Sequence, residues 1–377
     1  MNHSRELSIR DIRQPGVRRD FIQFPYRLYQ TNPNWVPPLV WEEKRTFDPR
    51  RHGFLKKNPV DFFVCYHDQV PVGRIAAIIN RDHNRFHNDR TAFFGFFEAI
   101  DNSDVARLLF ETAAAWARNQ GADTLRGPTN YSLNDIAGLL LQGFDDPPFV
   151  MMPYNPPYYE RLYQENGLNV AMRFYTYEVT QETIQFPRFI EKIEERLNDA
   201  EITIRPVDLN QLEYELNIVL GIFNNSWSDN WGFVPFSVDE AITEFKKIKS
   251  FLIEDLVLIA EHKGKPAGFI LALPDFYQAL KPLNGRLFPF NWIKLIRNMK
   301  RIGQIRVVLM GVEKEFRNKG IDLVLYKKIF DNSIKKNYKK AELSWILENN
   351  TMMNRVLEHI NAKKNKVYAI FEKRLAD

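Results

Sequence analysis

One stretch of the chain carries residue types in an order that can do chemistry. It runs Val307-Val308-Leu309-Met310-Gly311-Val312, then Glu313-Lys314-Glu315-Phe316, then Arg317-Asn318-Lys319-Gly320-Ile321-Asp322. An apolar strand leads into a basic, glycine-containing turn that opens a helix. The first turn of a helix leaves N–H groups without intrahelical acceptors and sits at the positive end of the macrodipole, so such a turn can hold a pyrophosphate. Gly320 is expected to let the backbone approach phosphate oxygens with no Cβ in the way. Asp322, in the first helical turn, either adds negative charge beside that anion or complements the dipole.

Acid–base candidates are more scattered. Glu313 ends the strand and can act as a base, directly or through water; its other reading is a surface residue entering the turn. Glu98, Tyr131 and Tyr154 in the first half of the chain, and Asn225, Asn230 and Trp231 in the second, stand in polar-aromatic loops. Loops carry function more often than cores do. The competing reading of each is packing, with Tyr and Trp burying area while bonding at the tip. His83 and His87 are four apart, but no Cys or third His stands nearby, so no metal is expected. Cys65, the single cysteine, lies in the apolar run Phe62–Tyr66, which implies a buried structural thiol and excludes an intrachain disulfide.

The turn resembles the coenzyme A loop of the GCN5-related N-acetyltransferase (GNAT) superfamily, in which Arg or Gln is followed by two residues, Gly, any residue, then Gly or Ala. Arg317, Asn318, Lys319, Gly320 and Ile321 follow that pattern, and Asp322 departs from it at the last position. Downstream, Ala341–Leu347 followed by Glu348-Asn349-Asn350-Thr351 resembles the GNAT strand that ends at an Asn opening the next helix. The Tyr that the family often places about seven residues further is missing, with Val356 and Leu357 there. The Gly-Phe before the last strand is replaced by Ile360-Asn361-Ala362-Lys363. The resemblance implies acyl-coenzyme A as acyl donor, held by Gly311, Val312, Arg317, Asn318, Lys319, Gly320, Ile321, Asp322 and Asn350. It implies transfer of the acyl group to an amine. As acid, base or positioning groups it leaves Glu313, Tyr154, Tyr131 and Trp231.

The whole chain resembles YghO-like bacterial proteins, which join a degenerate N-terminal GNAT unit to an intact C-terminal one. Gly127-Pro128-Thr129-Asn130, the segment Met152–Tyr159 and Glu348-Asn349-Asn350 carry that likeness. Some relatives of the group are implicated as bacterial ceramide synthases, which implies a long acyl chain and a hydrophobic or sphingoid-type amine.

The elements that must position these residues are legible from pattern. Asp61–Tyr66 and Pro71–Asn80 read as a hairpin, Thr91–Ile100 as a third strand, and Asn102 or Ser103 as the cap of a helix stopped at Gly121. Met172–Val179 is a further strand. Arg188–Asp199 reads as a charged linker helix. Beyond it come strand Glu201–Pro206, helix Leu209–Asn224, helix Val238–Ile253 and a hairpin of Leu256–Glu261 with Pro266–Pro274. Strand Gln304–Val312, helix Gly320–Lys336, strand Lys340–Leu347, helix Thr351–Ile360 and strand Val367–Arg374 close the series. The expected fold is α/β: tandem mixed sheets over residues 1–185 and 201–377, joined by 186–200.

Composition is that of a globular protein, 45% hydrophobic and 26% charged. Charge is uneven: Trp292–Asp377 holds 20 Lys/Arg against 9 Asp/Glu, net +11, and the remainder nets −6. That basic third calls for an anionic partner or is a solvated Lys-rich face. Within Leu287–Ile302, Trp292, Leu295, Ile296 and Met299 share one helical face, with Lys294, Arg297, Lys300 and Arg301 on the other. This reads as an ordinary packed helix, a lid over an acyl chain, or a membrane-surface helix. The opening residues, Met1-Asn2-His3-Ser4-Arg5-Glu6, show no apolar leader, and no run is long enough to span a bilayer. The expected setting is cytoplasmic, with at most peripheral membrane contact; the oligomeric state is open. Nucleic acid is not an expected partner, for want of a binding motif. The alternative to an enzyme is a non-catalytic GNAT-like module docking on nucleic acid or anionic lipid.

Overall fold

The computed structural model describes residues 6–236, 241–242, 245 and 249–375. It contains two compact units: Met1–Arg173 with Ala279–Asn298 and Lys366–Asp377, and Phe174–Gln278 with Met299–Asn365. The units are therefore not consecutive segments, in contrast to the linear division at 185 and 200. The last strand of the chain returns to the first unit, because its apolar residues are buried there. The helix expected over Val238–Ile253 falls largely outside the described residues.

The strands are β1 (Leu7–Asp11), β2 (Val60–His67), β3 (Val70–Ile79), β4 (Thr91–Ala99), β5 (Thr124–Gly127), β6 (Leu139–Gln142), β7 (Asn169–Thr180), β8 (Ile202–Pro206), β9 (Val257–His262), β10 (Lys265–Pro274), β11 (Gln304–Val312), β12 (Lys340–Leu347) and β13 (Lys363–Arg374). In the first unit they run β1-β2-β3-β4-β5-β13, antiparallel except β4 with β5, and β6 also pairs with β13. In the second the order is β7-β12-β11-β10-β9-β8, antiparallel except β11 with β12.

Strand β3 shows why the first sheet reads as apolar runs rather than alternation. Ile75 and Ala77 face a core shared with helix Ser103–Asn119, while Ala76 and Ile78 face a core shared with helix Val17–Leu28. Successive side chains point to opposite faces, and both faces are covered. Cys65 lies in the first of these cores, fully buried, and burial pushes its thiol up to about 11.

Both units share one device. The strand before the long helix carries an extra residue: β4 steps from Gly95, opposite Ala76, to Glu98, opposite Arg74, and β11 steps from Val307, opposite Ala272, to Leu309, opposite Leu271. Such a bulge bends the strand. Parallel pairing stops at the same stage, after Phe93–Arg126 in one unit and Val307–Leu343 in the other.

Candidate active site

In the second unit, where β11 and β12 part, a cleft of about 910 Å³ opens between Val308–Val312 and Ser344–Leu347. This is within the size range of ligand sites. Its walls are aromatic and sulfur-rich: Trp227, Trp231, Trp345, Tyr326, Met310, Met352 and Met353 all contribute. The Trp227 indole N–H donates to the Met310 carbonyl at 2.9 Å, fixing that wall. Trp231 lies edge-on to Phe174, ring centroids 6.1 Å apart.

The basic turn forms the floor. Helix Ile321–Lys335 starts after Gly320, which sits at φ 88° and has no side chain with which to cap the first turn. The neighbouring helix Thr351–His359 is capped instead: the Asn350 side chain accepts from the Met353 N–H at 3.2 Å. Asn350 lines the cleft, but its oxygen is committed to this cap. Buried Asn354 ties the end of β12 down, donating to the carbonyls of Leu347 and Asn350 and accepting from the Tyr177 hydroxyl at 2.8 Å. The cleft therefore presents one uncapped helix N-terminus with a positive dipole end, the feature that binds phosphate groups.

Two sequence expectations about this turn are modified. A Cβ on Gly320 would point at Ile193, 2.6 Å from its Cγ2, so helix packing and positive φ demand the glycine. The Arg317 guanidinium folds back to donate to the Ser226 carbonyl at 2.7 Å, while Lys319 lies over the Phe316 ring. Gly311 is required by contact: a Cβ there would meet Ser226 Oγ at 2.5 Å. Asn318, Gly320 and Asp322 line the cleft together with Gly311 and Val312, and Ile321 is buried beneath.

The equivalent place in the first unit is filled by the chain itself. Where β4 and β5 part, the Thr129 N–H donates to the Phe94 carbonyl at 2.9 Å, and the Asn130 side chain accepts from the Phe96 N–H at 2.9 Å. A Cβ on Gly95 would come within 1.8 Å of the Thr129 carbonyl oxygen. The following helix, Ser103–Asn119, is capped by Asn102, whose side chain accepts from the Val105 N–H at 3.0 Å. Asp101 pairs with Arg161, and no basic turn precedes the helix. Slot and anion cradle are both closed in this unit.

The acid–base candidates do not converge. Trp231 lines the cleft. Glu313 lies just outside its lining, held by the Asn225 amide at 3.3 Å. Tyr131 is buried in the first unit's aromatic core, its hydroxyl donating to the Thr46 carbonyl at 2.8 Å, and burial raises its pKa far above the ordinary phenol. The Tyr154 hydroxyl donates to the Phe144 carbonyl and accepts from the Asn32 amide, both at 3.3 Å. Glu98 accepts from the Tyr29 and Tyr159 hydroxyls at 2.7 Å each, with Arg74 4.0 Å away, and burial raises its pKa. Buried His83 has Asp89 at 3.4 Å and the His87 ring centroid at 4.3 Å, and among the described residues no group of three or more such side chains could hold a metal.

Sequence reasoning passed over Tyr326. Its hydroxyl meets Met353 Sδ at 3.7 Å in the cleft wall, and burial, with Asp322 adding to it, drives its pKa well above the ordinary value. The phenol is thus a permanent hydrogen-bond donor. Its register, six residues into a helix of low amphipathic contrast, gives no signal in sequence.

Protein YghO of Escherichia coli (strain K12) is 35% identical over 367 residues, 94% of this chain and 92% of that protein. The bacterial ceramide synthase of Caulobacter vibrioides (strain NA1000 / CB15N) is 32% identical over 377 residues, 98% of each. A solved tandem GNAT protein from the clavulanic acid biosynthesis pathway shares the fold with a TM-score of 0.57 at 10% identity, over 99% of both chains. No protein-family model matches. With an uncapped cradle in one unit, a self-filled slot in the other, and relatives aligned along nearly their full lengths, the chain belongs to the family of YghO and the bacterial ceramide synthase, on a tandem GNAT fold.

Proposed function

We propose that this protein is an N-acyltransferase that takes a long acyl group from acyl-coenzyme A and delivers it to a hydrophobic, sphingoid-type amine. One observation carries the reading. The second unit keeps an uncapped helix N-terminus opening onto unpaired strand, whereas the first unit has closed both features. The residues present fit the donor: cradle N–H groups for a pyrophosphate, and strand edges of β11 and β12 for an amide-bearing arm. Lined by Trp and Met, the cleft suits an alkyl chain, since Met adapts to irregular apolar surfaces. The name of the Caulobacter relative supports an amine that is itself lipid-like.

In the reaction the amine nitrogen forms a bond to the thioester carbon, the carbon–sulfur bond breaks, the nitrogen loses a proton and the thiolate gains one. Tyr326 supplies an O–H in the cleft that stays protonated, suited to meet the developing charge. An acyl chain seated against Trp227, Trp231 and Trp345 would displace water that could hydrolyse the thioester.

The test measures melting temperature with acetyl-, medium- and long-chain acyl-coenzyme A, and then product mass with a long-chain amine. A rise of several degrees with the long-chain donor, reduced in Arg317→Glu/Lys319→Glu, and an amide of the summed mass are expected. Both residues are largely exposed, and unchanged circular dichroism checks that the variant keeps the fold after losing the Arg317–Ser226 contact. No shift with any donor, and no amide with either coenzyme A or carrier-protein thioesters, sinks the proposal.

A further inference from the structure

The segment after Leu283 is fixed in the first unit at both ends. The Val40 N–H donates to the Gly285 carbonyl at 3.0 Å, and the Asn298 amide donates to the Ala279 carbonyl at 3.4 Å. Between these points Phe288, Phe290, Trp292, Ile293 and Ile296 stand 45–78% exposed, and helix Asn291–Met299 has no buried residue. At about 100° per residue, Trp292, Ile296 and Ile293 share one arc, which Arg297 and Lys294 continue. Leu295, Asn298 and Met299, opposite, are the half-covered ones. Single exposed apolar residues are ordinary, but five within the nine residues 288–296 of an anchored segment are not. Trp41, next in chain to the anchoring Val40, is exposed as well.

Charge identifies the occupant. Between Asp275 and Glu313 the chain has seven Lys and Arg and no Asp or Glu. We propose that this face docks on an anionic lipid bilayer: the five apolar side chains enter the boundary between headgroups and acyl chains, while Arg286, Lys294 and Arg297 stay on the phosphates. A second copy is disfavoured, because a twofold pairing would set like-charged rims against each other. A nucleic acid is disfavoured, because bases stack on flat rings and Ile293 and Ile296 offer none. The proposal stands whether or not the cleft transfers acyl groups.

The full chain is tested by sedimentation with vesicles of phosphatidylcholine, with and without phosphatidylglycerol, at low and high salt. Binding to the anionic vesicles is expected, weaker at high salt. Phe288→Ser/Phe290→Ser/Trp292→Ser/Ile296→Ser should lose about tenfold or more in partition at either salt, with unchanged circular dichroism. Lys294→Glu/Arg297→Glu should lose about tenfold on anionic vesicles alone. Equal partition of wild type and the serine variant overturns the proposal, as does wild-type indifference to both vesicle types. A dimer in solution that the serine variant splits, without lipid binding, assigns the face to a second copy and also overturns it.

Discussion

Gly320 shows how one residue can be expected for one reason and required for another. Spacing marks it as the glycine of an anion cradle, while its missing Cβ is claimed by Ile193, from a helix far upstream in sequence. Gly320→Ala should therefore lower stability by about 1–3 kcal/mol in urea unfolding, from strain at positive φ plus overpacking. Combined with Ile193→Ala, it should lose less than the two single changes added together. Tyr326→Phe removes only a hydroxyl. If that hydroxyl meets developing charge, turnover should fall about tenfold or more with KM for the donor little changed, read by steady-state kinetics. His83 sets a pH dependence. Desolvation, ahead of the opposing pull of Asp89, holds its pKa at about 4. The folded form keeps it neutral while the unfolded chain takes up a proton near pH 6.5. Its stabilising contribution is thus full above that pH and declines as pH falls towards 4, by roughly 2–3 kcal/mol. His83→Phe should flatten the stability curve across that window.

Elements explain why the two units, built alike, differ in what they can hold. The loop after β5 occupies the first unit's slot so tightly that Gly95→Ala should destabilise by at least about 3 kcal/mol, measured by denaturant unfolding, and should give no new donor site. Much at this scale was legible. β11, helix Ile321–Lys335 and β12 fall within a residue of their expected spans, because strand runs, a glycine start and a Lys-rich finish leave little choice. Helix Val17–Leu28 was not legible, since it begins after a left-handed Gly16 and contains Pro25. Arg188–Asp199 read as a linker because its charges dominate, yet Ile190, Ile193 and Leu197 form a stripe buried in the second unit's core. Nor could spacing show that Thr129 and Asn130 would fill a slot: that depends on a long-range register no local pattern encodes.

At the scale of the molecule, the two units interleave along the sequence. Residues 366–377 belong to the first unit, where Ala369, Ile370 and Phe371 are fully buried and β13 supplies the partner of both β5 and β6. A fragment ending at Asn365 should therefore lose the first unit's cooperative unfolding and aggregate through the bared edge of β5, seen by calorimetry and light scattering. The same arrangement has a consequence in time. During synthesis, everything up to β12 is made before the strand that completes the first sheet exists. The nascent chain must hold an unfinished, apolar edge throughout the making of its second half. A first unit finished by so late a strand completes its sheet only once β13 has emerged, and should lean on chaperones more than its size alone would require.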